Sequence, residues 1–449
     1  MRIGLALAAA LLLGSAAVSG QWLETTIPLP QLSEPVALCH NAQDNKVYCA
    51  NSNRDSVTVI DGATNQVVAS VGTSRHPRAL CYNPQNNRVY SANYFSDNMT
   101  VIDGATNQVV ATVTAGHGPW ALCYNPQNNK VYCANADGDS VTVIDGATNV
   151  LLAKVSAGSS PWALCYNPQE NRIYSAGSGS NDVTVIDGAT DQVLATVPAG
   201  SSPYALCYNG RDDRVYCANY YTNDVTVIDG TTNQVVATVT ADSSPYALCY
   251  NGRDDRVYCA NNYGNNVTII DGATNQVLAT PAAGQGPCAL HYNEQNNKVY
   301  CANYYTGNVT VIDGATNQVL RTVGVGEDPC AFAQNPVQNR VYVANYLSSS
   351  VSVLRDSTTG VFEREKPAAG RGQPGTTIVH GVLVLPDLGH DPDSPGGIGS
   401  SPASLLDISG CRVMDVRAGA NDVSRLAAGV YFVWRASEPD RLSRVVKVN

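Results

Sequence analysis

Large aromatic residues recur at one spacing in this sequence, each directly after a proline. Trp120, Trp162, Tyr204 and Tyr246 are 42 residues apart, and Arg78 holds the same place one step earlier. Trp and Tyr combine a flat apolar face with a polar tip, which suits sugars and peptides. The spacing therefore predicts a candidate ligand-binding site built from equivalent positions. Further tyrosines in the variable segments complete the candidate set; they are Tyr94, Tyr220 and Tyr304.

The four aromatic residues at the 42-residue spacing also have a purely structural interpretation, which the sequence leaves open. If the repeats close into a wide ring, these side chains fill its centre as core. Substitution separates the two interpretations: Trp120→Ala with Trp162→Ala is predicted to abolish ligand binding. Substitutions of Asn86 and Asn128, which we expect on the opposite face, are predicted to leave binding intact.

Fourteen cysteines are present, and most occupy two repeating slots. Two repeats keep the first cysteine but carry Ser91 or Ser175 in the second slot, so bridges within a repeat do not explain the pattern. We interpret the repeating cysteines as small, buried, apolar thiols. Cys288 and Cys330, which replace aromatic residues in neighbouring repeats, are the candidate disulfide. The repeating slots are Cys39, Cys81, Cys123, Cys165, Cys207 and Cys249, and Cys49, Cys133, Cys217, Cys259 and Cys301.

Metal and catalytic motifs are missing from the sequence. There is no C-x-x-C, no H-E-x-x-H, no nucleophile elbow and no P-loop. His76 and His117 fall in adjacent segments but have no third ligand beside them. Asp61 and its equivalents each precede a glycine at a strand end, so we expect them to close turns through their own backbone. We predict no metal, no cofactor and no catalytic residues.

A repeat with a constant period organises most of the chain. The pentad Val-Thr-Val-Ile-Asp ends at positions 61, 103, 145, 187, 229, 271 and 313, and an eighth, degenerate copy begins at Val351. Two other signatures, which begin at Ala37 and Val47, return in the same register. Each unit contains four short β-branched runs separated by turn residues. The sequence thus consists of eight copies of a four-stranded unit.

Apolar residues occupy both the odd and the even positions of these runs. Because successive side chains of a strand point to opposite faces, both faces of each sheet must be buried. Stacked blades achieve this, and a 42-residue unit of four strands has the size of a propeller blade. We predict an all-β fold: an eight-bladed β-propeller followed by a small Ig-like β-sandwich. A linear solenoid is the competing interpretation. Ring closure needs one more outer strand, and we expect Thr25–Leu29 rather than Val361–Glu365 to supply it.

The connections of a unit fall into two classes. The Asn-Pro-Gln-Asn-Asn and Asp-Gly-Ala-Thr-Asn turns are nearly constant, as turns that serve only the backbone would be. The other two connections vary from unit to unit and contain the aromatic candidates. Because loops on a rigid scaffold usually carry function, we predict that the variable connections form the binding face.

The Val-Tyr-x-x-Asn and V-T-V-I-D-G-A-T-N-Q-V-V-A-T-V patterns resemble the YVTN-type β-propeller repeat of exported and surface proteins. The resemblance covers about residues 21–366. It implies a propeller, usually with seven blades, whereas the copies counted in this sequence number eight. This chain also departs from the family in carrying Cys where the first strands usually have Val or Ala.

Residues 1–20 have the pattern of a secretory signal peptide, with one Arg, an apolar run and small residues near Gly20. The apolar run is too short to span a bilayer, and we expect no transmembrane segment in the mature protein. Charged residues make up only 14%, and the net charge is −10. This balance argues against nucleic acid as a partner. We expect a secreted or outer-surface protein that is a monomer.

The period stops after Lys366, and residues 367–449 form a linker and a C-terminal domain with strand-like runs. The segments Thr376–Pro386, Leu405–Gly410 and Asn421–Val433 are similar to type IX secretion C-terminal sorting domains. Cys411 departs from that family's usual basic residue. The resemblance implies contact with the secretion machinery and cleavage outside the cell. An ordinary Ig-like adhesion module is the alternative.

Two functions are consistent with this sequence. The first is an exported, non-enzymatic propeller that binds a glycan, a peptide or a surface protein. The second is an exported propeller enzyme, lactonase-like or related to quinone or haem oxidoreductases, that acts at the central channel. The candidate residues are mainly Trp and Tyr, without converging acids and histidines, and this composition favours binding.

Overall fold

The computed structural model describes residues 20–356 in full and, beyond them, the backbone of short strands between residues 377 and 447. The chain divides into two compact units, Met1–Phe362 and Glu363–Asn449. In the first unit, eight antiparallel four-stranded sheets follow one another in chain order, which is the arrangement of an eight-bladed propeller. Among the described residues, no helix is long and apolar enough to span a membrane.

Strand β1 (Gln21–Pro28) precedes the first complete blade. Blades one and two contain β2 (Pro35–Asn41), β3 (Lys46–Asn51), β4 (Ser56–Asp61) and β5 (Val67–Gly72), then β6 (Pro77–Asn83), β7 (Arg88–Asn93), β8 (Asn98–Asp103) and β9 (Val109–Thr114). Blades three and four contain β10 (Pro119–Asn125), β11 (Lys130–Asn135), β12 (Ser140–Asp145) and β13 (Leu151–Ser156), then β14 (Pro161–Asn167), β15 (Arg172–Gly177), β16 (Asp182–Asp187) and β17 (Val193–Pro198).

Blades five and six contain β18 (Pro203–Asn209), β19 (Arg214–Asn219), β20 (Asp224–Asp229) and β21 (Val235–Thr240), then β22 (Pro245–Asn251), β23 (Arg256–Asn261), β24 (Asn266–Asp271) and β25 (Val277–Ala279). Blades seven and eight contain β26 (Pro287–Asn293), β27 (Lys298–Asn303), β28 (Asn308–Asp313) and β29 (Val319–Gly324), then β30 (Pro329–Asn335), β31 (Arg340–Asn345) and β32 (Ser350–Asp356). Single 3-10 turns occur at Tyr94–Ser96 and Tyr304–Thr306.

The first strand of the chain completes the last blade, as the sequence predicted. Strand β1 pairs antiparallel with β32, so that Ile27 lies opposite Val351. The competing segment, Val361–Glu365, lies outside the described residues. Ring closure therefore joins the two ends of the repeat region through main-chain hydrogen bonds, and a linear solenoid is excluded.

The hydrophobic core lies between blades rather than within them. Tyr48, Val57 and Val59 of blade one pack against Val89 and Ile102 of blade two, and all five are fully buried. The same arrangement recurs around the ring because the apolar residues repeat every 42 positions. Burial of each such side chain contributes about 1.5–3 kcal/mol to the stability of the fold. Because each blade packs against a neighbour on both faces, the strands are apolar at both odd and even positions.

Polar contacts join each blade to the next along the outer part of one face. Tyr48 donates its hydroxyl to the Gly104 carbonyl oxygen at 3.2 Å and to Asn107 Oδ1 at 3.2 Å. Lys46 Nζ also donates to the Gly104 carbonyl at 2.6 Å. The series ends with Tyr342, which donates to Asn65 Oδ1 of blade one at 2.7 Å and so closes the ring.

At the junction of blades seven and eight, the carboxylate of Asp356 accepts the hydrogen bonds that the Gly104 carbonyl accepts between blades one and two. Lys298 Nζ lies 2.7 Å from Asp356 Oδ1, and the Tyr300 hydroxyl donates to Asp356 Oδ2 at 2.6 Å. Gln21 Nε2 donates to the same carboxylate at 3.0 Å. Asp356 is buried, so its charge depends on Lys298 for compensation.

Each of the four connections of a blade contains a residue in the left-handed region of backbone space. In blade two and the link after it, these are Asn87 (φ 50°), Asp97 (φ 53°), Asn107 (φ 59°) and Gly118 (φ 65°). Asn, Asp and Gly adopt this conformation at the lowest cost. The backbone conformation of the turns therefore explains why these residue types recur between the strands of the repeat.

Beyond the propeller, the strands are β33 (Thr377–Val379), β34 (Val382–Leu385), β35 (Ala403–Leu406), β36 (Arg412–Val416), β37 (Gly419–Asp422), β38 (Gly429–Arg435) and β39 (Glu438–Lys447). They form one sheet in the order β33-β39-β38-β35-β36 and a second sheet of β34 and β37. The Ig-like sandwich and the sorting domain remain predictions.

Candidate functional site

The two classes of connection lie on opposite faces of the propeller. On one face, here called the mouth face, the links between blades bond to the loops inside blades: the Tyr94 amide donates to the His76 carbonyl at 2.9 Å. On the other, the turn face, the constant turns bond to each other, as when the Gly104 amide donates to the Asn87 carbonyl at 2.8 Å. The division predicted from the sequence is confirmed.

Five candidate residues form one group on the mouth face, called here the mouth cluster: Arg78, Trp120, Trp162, Tyr204 and Tyr246. Each is the second residue of the innermost strand of its blade. Each also falls at a register shift, because the preceding proline and the following alanine pair with consecutive residues of the next strand. Such a bulge redirects the extra side chain out of the ladder.

The aromatic members of the mouth cluster stack on one another. The rings of Trp120 and Trp162 are 5.2 Å apart and nearly parallel, at 23°. Trp162 meets Tyr204 edge to face at 4.9 Å. Tyr204 lies 4.2 Å from the ring of Tyr246 and donates its hydroxyl to that of Tyr246 at 2.7 Å. The stack is thus continuous across four blades.

All five members of the mouth cluster are half-buried. Burial raises the pKa of Tyr204, so its hydroxyl stays protonated at neutral pH. Arg78 places its Cζ 4.1 Å from the centre of the Trp120 ring, a cation–π contact. The stack therefore buries part of its area and still exposes part of it to solvent. Filling of the ring centre and a ligand-binding surface each describe part of what these residues do.

The mouth cluster covers only part of the ring. In blades seven, eight and one, the equivalent positions are Cys288, Cys330 and Val36. These side chains are small, whereas the five positions from Arg78 to Tyr246 are large. The mouth face is consequently asymmetric. The five large side chains from Arg78 to Tyr246 form a bulky arc, and Cys288, Cys330 and Val36 form a low arc opposite it.

A second group of aromatic residues surrounds the mouth cluster. The candidates Tyr94, Tyr220 and Tyr304 are half-buried, and Tyr94 meets Trp120 edge to face at 5.6 Å. The more exposed rings belong to the residue that directly follows each candidate and to the equivalent loop of blade six. They are Phe95 (58% exposed), Tyr221 (72%), Tyr305 (61%) and, in blade six, Tyr263 (63%). The sequence singled out Tyr94, Tyr220 and Tyr304, and only the structure shows that other rings in these loops are the more exposed ones.

Cys288 and Cys330 are free thiols, and the candidate disulfide is not formed. Each thiol instead donates to a main-chain carbonyl of the next blade: Cys288 to Pro329 at 3.1 Å and Cys330 to Pro35 at 3.3 Å. Burial raises the pKa of Cys330 to about 12. The cysteines in the repeating slots are also free and are buried or half-buried, which confirms the interpretation as small apolar thiols.

The turn-closing role predicted for Asp61 is confirmed. Its Oδ1 accepts hydrogen bonds from the Thr64 amide at 2.7 Å, from the Thr64 hydroxyl at 2.8 Å and from the Ala63 amide at 3.0 Å. The bonds from Thr64 hold the pKa of Asp61 below its usual value. Asp61 is therefore a backbone cap, and its charge is used within its own turn.

The turn face contains a carboxylate pair that the sequence analysis missed. Asn209 Nδ2 donates to Asp212 Oδ2 at 3.2 Å and to Asp255 Oδ1 at 3.0 Å. Between blades one and two, the same place holds Asp44 and Asn87, with a 2.8 Å amide-to-carboxylate bond. Burial raises the pKa of Asp255, and the nearby Asp212 raises it further. Alignment of the repeats would have revealed the exchange of Asn for Asp.

A cavity of about 510 Å³ opens on the turn face between blades six and seven. Between blades two and three, Gln85 Nε2 donates to the Pro126 carbonyl at 2.8 Å and so bridges the two blades. In blade six, the position equivalent to Gln85 is occupied by Arg253. The cavity is far from the mouth cluster, which lies at the other end of the inner strands. It is lined by Tyr250, Gly252, Arg253, Tyr292 and Glu294.

The two histidines considered as metal ligands make other contacts. His117 Nδ1 lies 2.7 Å from Asp97 Oδ2, and His76 packs against Phe95 with ring centres 4.7 Å apart. Within residues 20–356, no group of three or more His, Cys, Asp or Glu side chains is placed to hold a metal ion.

Comparison with known proteins identifies the repeat region. Residues 6–339 match the model of the YNCE-like beta-propeller family. Two solved structures are similar in fold: hydrazine synthase of Kuenenia stuttgartiensis (17% identity, TM-score 0.54) and Sqt1 of Saccharomyces cerevisiae (12% identity, TM-score 0.65). In each case the match covers 74% of this chain and 99% of the other. No curated protein matches this chain.

Proposed function

Because the chain belongs to the YNCE-like β-propeller family, we propose that it is an exported, non-enzymatic protein that binds a glycan, a peptide or a surface protein through its mouth face. The observation that carries this proposal is the mouth cluster. Five successive blades place a large side chain at one bulged position, where the repeat itself requires no particular residue. The three remaining blades carry Cys or Val there, so the fold tolerates small side chains.

The surroundings of the mouth cluster also support a binding surface. Large exposed apolar patches on soluble proteins mark interaction sites, and four exposed aromatic rings lie in the loops of this face around the mouth cluster. Tyr, Trp and Arg are the residue types that dominate binding energy at interfaces. The turn face, in contrast, uses its polar groups to join neighbouring blades.

Alanine substitution of Trp120 together with Trp162 tests the proposal. We expect the double variant to lose binding by at least 10-fold, because each ring supplies contact area that alanine cannot replace. Binding is measured by screening the purified protein on glycan and peptide arrays and titrating the hits.

Tyr124→Ala with Tyr166→Ala is the matched control, since these residues lie on the same two strands at the turn face. This control removes two aromatic rings, as the test variant does, whereas Asn86 and Asn128 are small polar residues. Like them, the two tyrosines make hydrogen bonds on the turn face: Tyr124 donates to Asn129 Oδ1 at 3.2 Å and Tyr166 to Asn171 Oδ1 at 3.5 Å. Equal loss in both double variants, or unfolding of the Trp variant alone, would remove the case for a binding face.

Export rests on residues 1–20, and passage across an outer membrane rests on the sorting-domain resemblance of residues 367–449. If both are correct, the mature protein starts near Gln21 and appears in the medium at a mass lower than that of the full chain. Intact-mass analysis of the cell-associated and medium fractions measures this. An uncleaved protein retained by the cells would contradict the sorting role.

A further inference from the structure

Arg78 differs from the other cations of the propeller. The Lys or Arg that begins the second strand of a blade donates to the next blade, as Arg88 does to the Ala147 carbonyl at 2.9 Å. Arg54 donates to the Gln31 carbonyl. Arg78 is half-buried, yet among residues 20–356 its guanidinium has neither a hydrogen-bond acceptor nor an ion-pair partner. Apart from the Trp120 ring, nothing within these residues contacts its charge as a partner, and a ligand anion can supply the missing acceptor.

The contact between Arg78 and Trp120 leaves the guanidinium ready to bind. Arg78 Cζ lies 4.1 Å from the centre of the Trp120 ring, a cation–π contact that supplies no hydrogen-bond acceptor. The guanidinium carries five N–H donors in a fixed planar fork, and no acceptor within residues 20–356 takes any of them. Two of these donors in parallel match the two oxygens of a carboxylate. The contact with the indole therefore restrains the position of the guanidinium.

The side chains of the low arc are small beside Arg78. In ring order, Arg78 stands between Val36 of blade one and Trp120 of blade three, so it marks the boundary between the low arc and the bulky arc. Cys330 and Cys288 continue the low arc. A ligand group that enters here meets the Arg78 edge on one side without displacing an aromatic ring.

Charges around the low arc limit what can enter. Glu34 is half-buried there and accepts the Tyr346 hydroxyl at 2.8 Å, and Asp328 precedes Cys330 by two residues. A polymer with many negative charges would meet both carboxylates and be repelled. A single carboxylate at the end of a chain avoids them, and the carboxylates can accept hydrogen bonds from the amides of that chain.

We propose that the mouth cluster binds the C-terminal carboxylate of a partner polypeptide, with Arg78 as the residue that recognises it. The proposal rests on the proposed binding function and names its ligand class. Capture of a free chain end is an established mode of peptide recognition. The exposed rings of Phe95 and Tyr305, which lie near opposite ends of the bulky arc, would contact the preceding side chains of the peptide.

A peptide array in which every sequence is immobilised by its N-terminus and synthesised as both free acid and C-terminal amide tests the proposal. With the purified protein, we expect amidation to weaken binding about 10- to 100-fold, the range of a hydrogen-bonded charged pair. In Arg78→Gln the acid and amide forms bind equally, because the recognising group is gone. Arg78→Lys recovers part of the preference, since Lys keeps the charge without the fork.

Arg253→Gln on the turn face is the matched control and keeps the full preference for the acid. An unchanged affinity on amidation, with binding still dependent on Trp120 and Trp162, overturns the carboxylate proposal and leaves the binding function standing. Binding only to acidic glycans on a parallel array, lost in Arg78→Gln, overturns the assignment to a polypeptide. If every mouth variant still binds as well as the wild type, the proposed function itself is overturned.

Discussion

Single exchanges at equivalent positions give individual blades properties that the repeat as a whole lacks. Arg78 stands where the next four blades have aromatic residues, and Asp255 stands where blades two and seven have Asn87 and Asn297. The backbone is the same in each case. Chemistry in this propeller is therefore decided by the side chain at a fixed position, and the nearest equivalents serve as internal controls.

Asp255→Asn is predicted to stabilise the protein at neutral pH by about 1 kcal/mol, the net value of one hydrogen bond. The new amide would donate to Asp212, as Asn87 donates to Asp44. Because the folded protein raises the pKa of Asp255, the wild-type pair is most favourable below a pH of about 4 and loses stability as pH rises through the folded pKa. The gain from the substitution thus grows with pH.

Urea unfolding of both proteins across this pH range measures the difference. Asp213→Asn is the control, because the carboxylate opposite it, Glu170, lies 3.4 Å from Arg172 and is already paired. A gain that is independent of pH would show that Asp212 and Asp255 do not share a proton.

At the scale of elements, the repeat made most of the fold predictable. The period predicts four strands to a blade. Leu29 lies six residues before Pro35, as Val71 of the outer strand of blade one lies six before Pro77, and this equal spacing indicates that the N-terminal strand is an outer strand. The contacts inside the mouth cluster were beyond the sequence, because rings 42 residues apart meet only when consecutive blades pack against each other. The contact of Arg78 with the Trp120 ring depends on the same packing.

The closing strand should tolerate little truncation on its buried side. Ile27 is 5% exposed and packs in the cluster shared by blades eight and one, so Ile27→Ala is expected to cost about 2–4 kcal/mol. Thr26 is exposed on the same strand, and Thr26→Ala should stay within about 0.5 kcal/mol of wild type. Chemical unfolding measures both. Equal effects would mean that β1 is not docked in solution.

At the scale of the whole molecule, the ring is held by burial and polar contacts, since the described cysteines are all free. Burial raises the pKa of these thiols, that of Cys81 to about 12, and the thiolate is the form that reacts. We predict slow maleimide labelling of the native protein at pH 7 and full labelling of the thirteen described cysteines after denaturation. Peptide mapping measures each site, and ten or more blocked residues would contradict free thiols.

The pairing of β1 with β32 also sets an order of events during biosynthesis. Gln21 and Asp356, which bond in the finished ring, are 335 residues apart in the chain. Because synthesis begins at the N-terminus, β1 is made first and must wait for β32, which is made last. Until Asp356 has emerged, the edge of β1 that pairs with β32 and the face of blade one that packs against blade eight stay open, and a chain halted midway has no closed form. The final disc assembles only once its two ends occupy the same compartment.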